Sequence, residues 1–128
     1  MPPESTGANG SVVFIVDDDE GVRSSLQLLV RSLGLSSEAF SSGEGFLEAY
    51  DGRDAGCVLL DVRMPGMSGF EVRERLDAMG AKIPVIFLTA QGEDEIPARI
   101  GSVERIQKPF DDEQLVRRIR QFVGPADD

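Results

Sequence analysis

The amino-acid sequence predicts an α/β domain built on a five-stranded parallel sheet with helices on both faces. Three observations carry that expectation. Uninterrupted apolar runs rich in β-branched residues recur along the chain, and stripes of apolar residues at helical spacing alternate with them. The chain has 128 residues, 41% of them hydrophobic, which suffices for one core of this kind and leaves no room for a second domain of ordinary size. Strand and helix alternating throughout imply right-handed crossovers and a doubly wound sheet.

Residues 1–11 mix Pro, Gly, Ser, Thr and Asn with little to bury, and read as a loose tail. The domain is expected over residues 12–124, with 125–128 as a tail or the start of a linker. Val12-Val13-Phe14-Ile15-Val16 has the continuous apolar pattern of a strand covered on both faces. Val22, Leu26, Leu29, Val30 and Leu33 then recur at helical spacing, and Gly34 supplies the stop. Leu35 to Phe40 is half polar, which suits an edge strand, and Phe46, Leu47 and Tyr50 mark a short helix behind it. Cys57 to Leu60 is a second buried strand, ending in Asp61 and a turn at Pro65-Gly66. A helix follows from about Ser68 to Met79, carrying Phe70, Val72, Leu76 and Met79. Val85 to Leu88 is the fourth strand. A short segment around Ile96 to Ile100 leads into Val103 to Gln107, and the last helix runs from about Asp112 to Val123 with acids in its first turn.

Composition narrows the chemistry. There are 13 basic and 23 acidic residues, a net charge of −10, and no histidine. Such a body is repelled by phosphate backbones and anionic lipid headgroups, so neither nucleic acid nor a membrane is expected as a direct partner. The single cysteine, Cys57, lies in an apolar strand and reads as a buried thiol in a reducing compartment. Without histidine, zinc and copper sites have almost no ligands, and any metal should be a hard cation on carboxylates. No apolar run approaches the roughly 18 residues of a membrane span, and the opening residues lack a signal-peptide pattern, so a cytoplasmic location is the expectation.

In a doubly wound sheet the functional site lies at the carboxyl ends of the strands, where strand order reverses. Here the first strand ends in Asp17-Asp18-Asp19, the third in Asp61 and the fourth in Thr89, and the fifth runs into Lys108-Pro109. Each feature alone has an ordinary explanation. A triple acidic run is usually a solvated face, Asp is a common strand-to-turn residue, and Lys108 or Thr89 could be surface and cap. Four successive strand ends delivering carboxylates, a hydroxyl and an ammonium to one edge change that balance. Gathered carboxylates raise one another's proton affinity, and a divalent cation would relieve the repulsion. Mg²⁺ commonly binds through one or two carboxylates together with a phosphate. Asp61 is then placed to attack phosphorus and form an aspartyl phosphate. Asp17 and Asp18 would hold or orient the metal, while Thr89 hydrogen-bonds one phosphoryl oxygen and Lys108 places a positive charge on another.

Val16-Asp17-Asp18, Leu60-Asp61-Val62-Arg63-Met64-Pro65 with Met67-Ser68-Gly69, Leu88-Thr89-Ala90 and Lys108-Pro109-Phe110 resemble the receiver domain of two-component response regulators. The resemblance spans about Val12 to Val123, and the spacings from Asp18 to Asp61 to Thr89 agree with the family. It implies a flavodoxin-like strand order of 2-1-3-4-5. It also implies phosphoryl transfer to Asp61 from a sensor histidine kinase or a phosphotransfer protein. Mg²⁺ would be held by Asp18, Asp61 and the backbone carbonyl of Arg63, with Asp17 acting largely through water. Thr89 and Lys108 would be drawn to the phosphoryl group, and the Lys108-Pro109 bond would be cis. Ala90 fits the small residue expected there, and Arg63 and Gln91 occupy variable places that govern hydrolysis of the acyl phosphate. Such a protein is a phosphoacceptor with self-catalysed phosphotransfer and autodephosphorylation rather than a turnover enzyme. Its switched surface would be read by a downstream protein or an output domain outside this chain, with homodimerisation a further expectation.

Two departures stand out. Three residues before Lys108 the family usually has Tyr or Phe, and here the residue is Arg105, whose charge would be expensive to bury without a partner. Lys108 also follows Thr89 about three residues sooner than is usual. With Pro97 tolerated only in a first helical turn, the fourth of the family's helices should be shortened to a stub around Ala98 to Ile100. These departures favour a competing reading, a constitutive interaction module that has kept the fold and lost the signal; the complete set of Asp17, Asp18, Asp61, Thr89 and Lys108 argues against it. A hydrolase of the haloacid-dehalogenase type would want a second Asp where Arg63 stands. Nucleotide binding would want glycines where the first strand is followed by acids.

Overall fold

The computed structural model describes residues 11–52, 56–90, 100 and 104–123. Its elements run β1 (Val12–Val16), α1 (Glu20–Ser32), β2 (Ser36–Phe40), α2 (Gly43–Ala49), β3 (Gly56–Asp61), α3 (Gly69–Ala78), β4 (Val85–Thr89), β5 (Glu104–Gln107) and α4 (Asp112–Val123). All four strand pairings are parallel, and the sheet order is β2-β1-β3-β4-β5, the doubly wound order the sequence implies.

The sheet separates two cores because successive side chains on a strand point to opposite faces. Phe14, Val16, Val58, Leu60 and Phe87 pack on one face with Phe46 of α2 and Val72 and Leu76 of α3. Val13, Ile15, Cys57, Leu59, Ile86, Leu88 and Ile106 pack on the other with Leu26 and Val30 of α1 and Leu115 and Ile119 of α4. Every residue of β1, β3 and β4 is buried, whereas β2 and β5, at the two edges, are partly exposed. Each fully buried Leu, Ile or Phe in these layers is worth roughly 1.5–3 kcal/mol over leaving it in water, which fixes the strands in register.

Helix ends follow local chemistry. Helix α1 closes with the amide of Gly34 donating to Arg31 and that of Leu35 to Val30; Gly34 takes φ +79°, so Leu35 belongs to this helix stop and β2 begins one residue later than expected. Ser68 caps α3 through a reciprocal pair of bonds with Glu71, at 2.8 Å from the Ser68 amide to the carboxylate and 3.2 Å from the Glu71 amide to the hydroxyl. The expected bounds at Ser68 and Met79 are thus the two caps of α3. The stub expected around Ala98 to Ile100 lies outside the described residues except for Ile100, which is buried in the core beneath α2 and α3.

Candidate functional site

Strand order reverses between β1 and β3. Chain connections leave β1 toward β2 on one side and β3 toward β4 on the other, opening a crevice at their carboxyl ends. Asp17 and Asp61 stand on its two sides. Asp17 is fully buried and Asp61 is 6% exposed, and with Thr89 they are the buried polar residues of the described structure.

Each is held there by backbone. The Asp17 amide extends the β1·β2 ladder by donating to Phe40 at 3.1 Å, and the amide of Val62 donates to Leu88 at 3.2 Å just beyond Asp61. Helix α3 starts immediately over the end of β3. A Cβ on Gly69 would lie 2.4 Å from the Asp61 carbonyl oxygen, so only glycine lets the capped helix approach this closely. The amide of Gly69 donates to Val62 at 2.9 Å, closing the loop that carries Arg63 to Ser68. The Lys108 amide donates to the Thr89 carbonyl at 2.8 Å, placing the lysine at the same edge, and the Lys108-Pro109 bond is cis, as the resemblance implies.

The side chains converge. Lys108 Nζ lies 2.9 Å from Asp17 Oδ2 and 3.5 Å from Asp61 Oδ1. The other oxygen of Asp17 accepts from the Asp19 amide at 2.9 Å, and Asp61 Oδ1 is approached by the Arg63 amide at 3.4 Å. One carboxylate oxygen from each of Asp17, Asp18 and Asp61 lies within 4.8 Å of the others. Burial, with the negative charge of Asp17 second, raises the Asp61 pKa from 3.8 to about 6, although Lys108 and the Arg63 amide pull the other way. Burial also works against the charged form of Lys108, but its hydrogen bond to Asp17 and the charges of Asp61 and Asp17 outweigh that and raise its pKa.

Three carboxylates, one of them buried with a raised pKa, facing a single lysine form an oxygen donor set with negative charge to spare, which suits a hard divalent cation. Thr89 is buried at the end of β4, and its hydroxyl is a group that can donate to an incoming oxygen at this edge. Asp17, Asp18, Asp61, Thr89 and Lys108 thus meet at one edge as the sequence suggests, and Arg63 contributes its amide there. Asp19, the third acid of the run, does something else: its side chain caps α1 by accepting from the Val22 amide at 3.1 Å. Sequence reasoning missed Arg23, whose guanidinium donates to the Asp17 carbonyl at 2.8 Å. Its spacing from Asp17 matches no cap or motif, so nothing short of the folded loop would reveal it. Arg105 is exposed on β5, and no charge is buried there.

Residues 13–120 match the family described as the response regulator receiver domain. The response regulator protein TodT of Pseudomonas putida is 44% identical over 115 residues, covering 86% of this chain and 50% of its own length. The transcriptional regulatory protein FixJ of Azorhizobium caulinodans is 38% identical, covering 88% and 54%. The chain therefore spans about half the length of the curated relatives it matches. Among solved structures, the response regulator StyR aligns with a TM-score of 0.82 at 40% identity, over 88% of this chain and 59% of that one. The crystal structure of FixJ-N aligns with a TM-score of 0.76 at 34% identity, over 87% of this chain and 91% of that one. With the fold, the strand-end residues and these relatives in agreement, the chain belongs to the response regulator receiver family of two-component signalling systems.

Proposed function

We propose that this domain accepts a phosphoryl group on Asp61 from the phosphohistidine of a sensor histidine kinase or phosphotransfer protein, with Mg²⁺ as cofactor. A carboxylate oxygen of Asp61 attacks phosphorus as the phosphorus–nitrogen bond breaks. The electron pair goes to the imidazole nitrogen, which then takes a proton, and Asp61 becomes an acyl phosphate. Asp17, Asp18, Asp61 and the backbone carbonyl of Arg63 are the candidate metal ligands, and the metal supplies charge neutralisation for the incoming anion. Lys108 carries an ammonium already placed between Asp17 and Asp61, able to follow a phosphoryl oxygen. Thr89 donates its hydroxyl to another oxygen, and that movement is the event that reshapes the neighbouring loops. The phosphorylated surface is then read by a downstream protein or by an output domain beyond this chain.

The observation that carries this reading is the three-carboxylate cluster with Lys108 Nζ 2.9 Å from Asp17 and 3.5 Å from Asp61 at the switch point of the sheet. The experiment is intact-mass measurement after incubation with Mg²⁺ and a small-molecule phosphodonor or a cognate kinase. One added phosphoryl group is expected, and it should vanish in Asp61→Asn. No adduct from any donor, or an adduct that survives in Asp61→Asn, contradicts the assignment.

A further inference from the structure

Of the three carboxylates in the cluster, Asp17 is fastened by Lys108 and the Asp19 amide, and Asp61 by Lys108 and the Arg63 amide. Asp18 differs. It is exposed, and its carboxylate has no hydrogen-bond partner among the described residues, so its place in the cluster is set by the backbone that carries it. That backbone leaves β1 just after Val16, and the Asp17 amide makes the last bond to β2 through Phe40. The Asp17 carbonyl receives the Arg23 guanidinium at 2.8 Å.

Arg23 is itself firmly placed. It lies in the first turns of α1, and its amide donates to the Asp19 carbonyl at 3.0 Å, while the Asp19 side chain caps the same helix. The helix therefore reaches back and grips the plane of the Asp17–Asp18 peptide. Rotating that plane would swing the Cα–Cβ bond of Asp18 and carry its carboxylate away from Asp17 and Asp61.

Resting on the metal reading above, we propose that Arg23 is a positioning residue for the cation: by holding the Asp17 carbonyl it keeps the Asp18 carboxylate aimed into the cluster. The sign of the effect separates this role from simple electrostatics. A guanidinium near three carboxylates opposes a cation, so removing it on charge grounds alone would tighten Mg²⁺ binding. Loss of the grip on the peptide loosens a ligand and weakens binding, by roughly tenfold on the scale of supporting contacts in metal sites.

The test is calorimetric titration of Mg²⁺ into wild type, Arg23→Ala and Arg23→Lys, with thermal midpoints measured alongside. The expected result is a dissociation constant roughly tenfold higher in Arg23→Ala, and recovery of most of that loss in Arg23→Lys, whose ammonium can still donate to the carbonyl. Amide resonances of Asp18 and Asp19 in the metal-free protein should shift in Arg23→Ala and return toward wild type in Arg23→Lys. Unchanged or tighter Mg²⁺ binding in Arg23→Ala overturns the role of the arginine while leaving the metal reading intact. Failure of the wild type to bind Mg²⁺ overturns both. Should Arg23→Ala not fold, the Lys variant decides: wild-type amide shifts with affinity within about twofold support the grip, and displaced Asp18 shifts with unchanged affinity refute it.

Discussion

The crevice between β1 and β3 and the outer edge at β5 belong to the same end of the same sheet, yet they treat charge in opposite ways. In the crevice two carboxylates are almost wholly withdrawn from water and share a single lysine. On β5 only Ile106 is buried, Arg105 and Gln107 face solvent, and Glu104 is tied to Arg118 of α4. The first region stores unfavourable electrostatics that a cation and an anion can relieve together; the second stores none. The edge carries its charges in water, Arg105 among them, at little electrostatic cost.

Variants that unbalance the crevice should therefore act far more strongly than variants at the edge. The largest effect is expected from Lys108→Ala, which leaves Asp17 buried without its cation. Phosphotransfer should fall on the order of 10²-fold, and the metal-free protein should lose roughly 2–4 kcal/mol of stability in denaturant titrations. An intermediate effect is expected at Asp61. Its folded pKa of about 6 lies above the ordinary 3.8, so the native state holds this proton more tightly than the unfolded chain does. Well below pH 3.8 the carboxyl is neutral in both states and costs nothing. As pH rises through about 4 to 6 the metal-free protein loses stability, and above that range the whole cost is present. Asp61→Asn should accordingly be about 1–2 kcal/mol more stable than wild type at pH 7.5 without Mg²⁺, and no more stable well below pH 3.8. Thermal melts of both proteins across that range check the sign.

At the edge, Arg105→Phe should change stability by no more than about 0.5 kcal/mol and leave Mg²⁺ affinity unaltered, which parallel melts and titrations would show. The smallest effect concerns Cys57, four residues before Asp61 in the same strand. Burial pushes its thiol up to about 12, so alkylation should be undetectable in the folded protein at pH 8 and complete in denaturant.

Much of this contrast is legible in the sequence because burial and chemistry are written in the same strands. Val12 to Val16 and Cys57 to Leu60 can only be central strands, and an acid following each must then sit at the sheet's end. The last helix is read to both of its bounds, Asp112 and Val123, since its apolar stripe is strongly periodic. Less is legible where structure depends on contacts between distant backbone atoms. Leu35 looks like a strand residue until the αL turn at Gly34 claims it for the helix stop. Asp17, Asp18 and Asp19 look alike in sequence, and become a buried acceptor for Lys108, an exposed member of the cluster and a helix cap only once the loop is folded. Arg23 carries no signal at all, because a side chain bonded to a carbonyl across one helical turn and a loop belongs to no recurrent motif.

Where Mg²⁺ acts on the domain would be revealed residue by residue by a titration followed by proton–nitrogen correlation spectra. Saturable shifts are expected at the amides of Asp17, Asp18, Asp61 and Arg63, with Arg105 and Gln107 unmoved. Shifts absent from the crevice, or equally large along β5, would contradict a cation site at the carboxyl ends of β1 and β3.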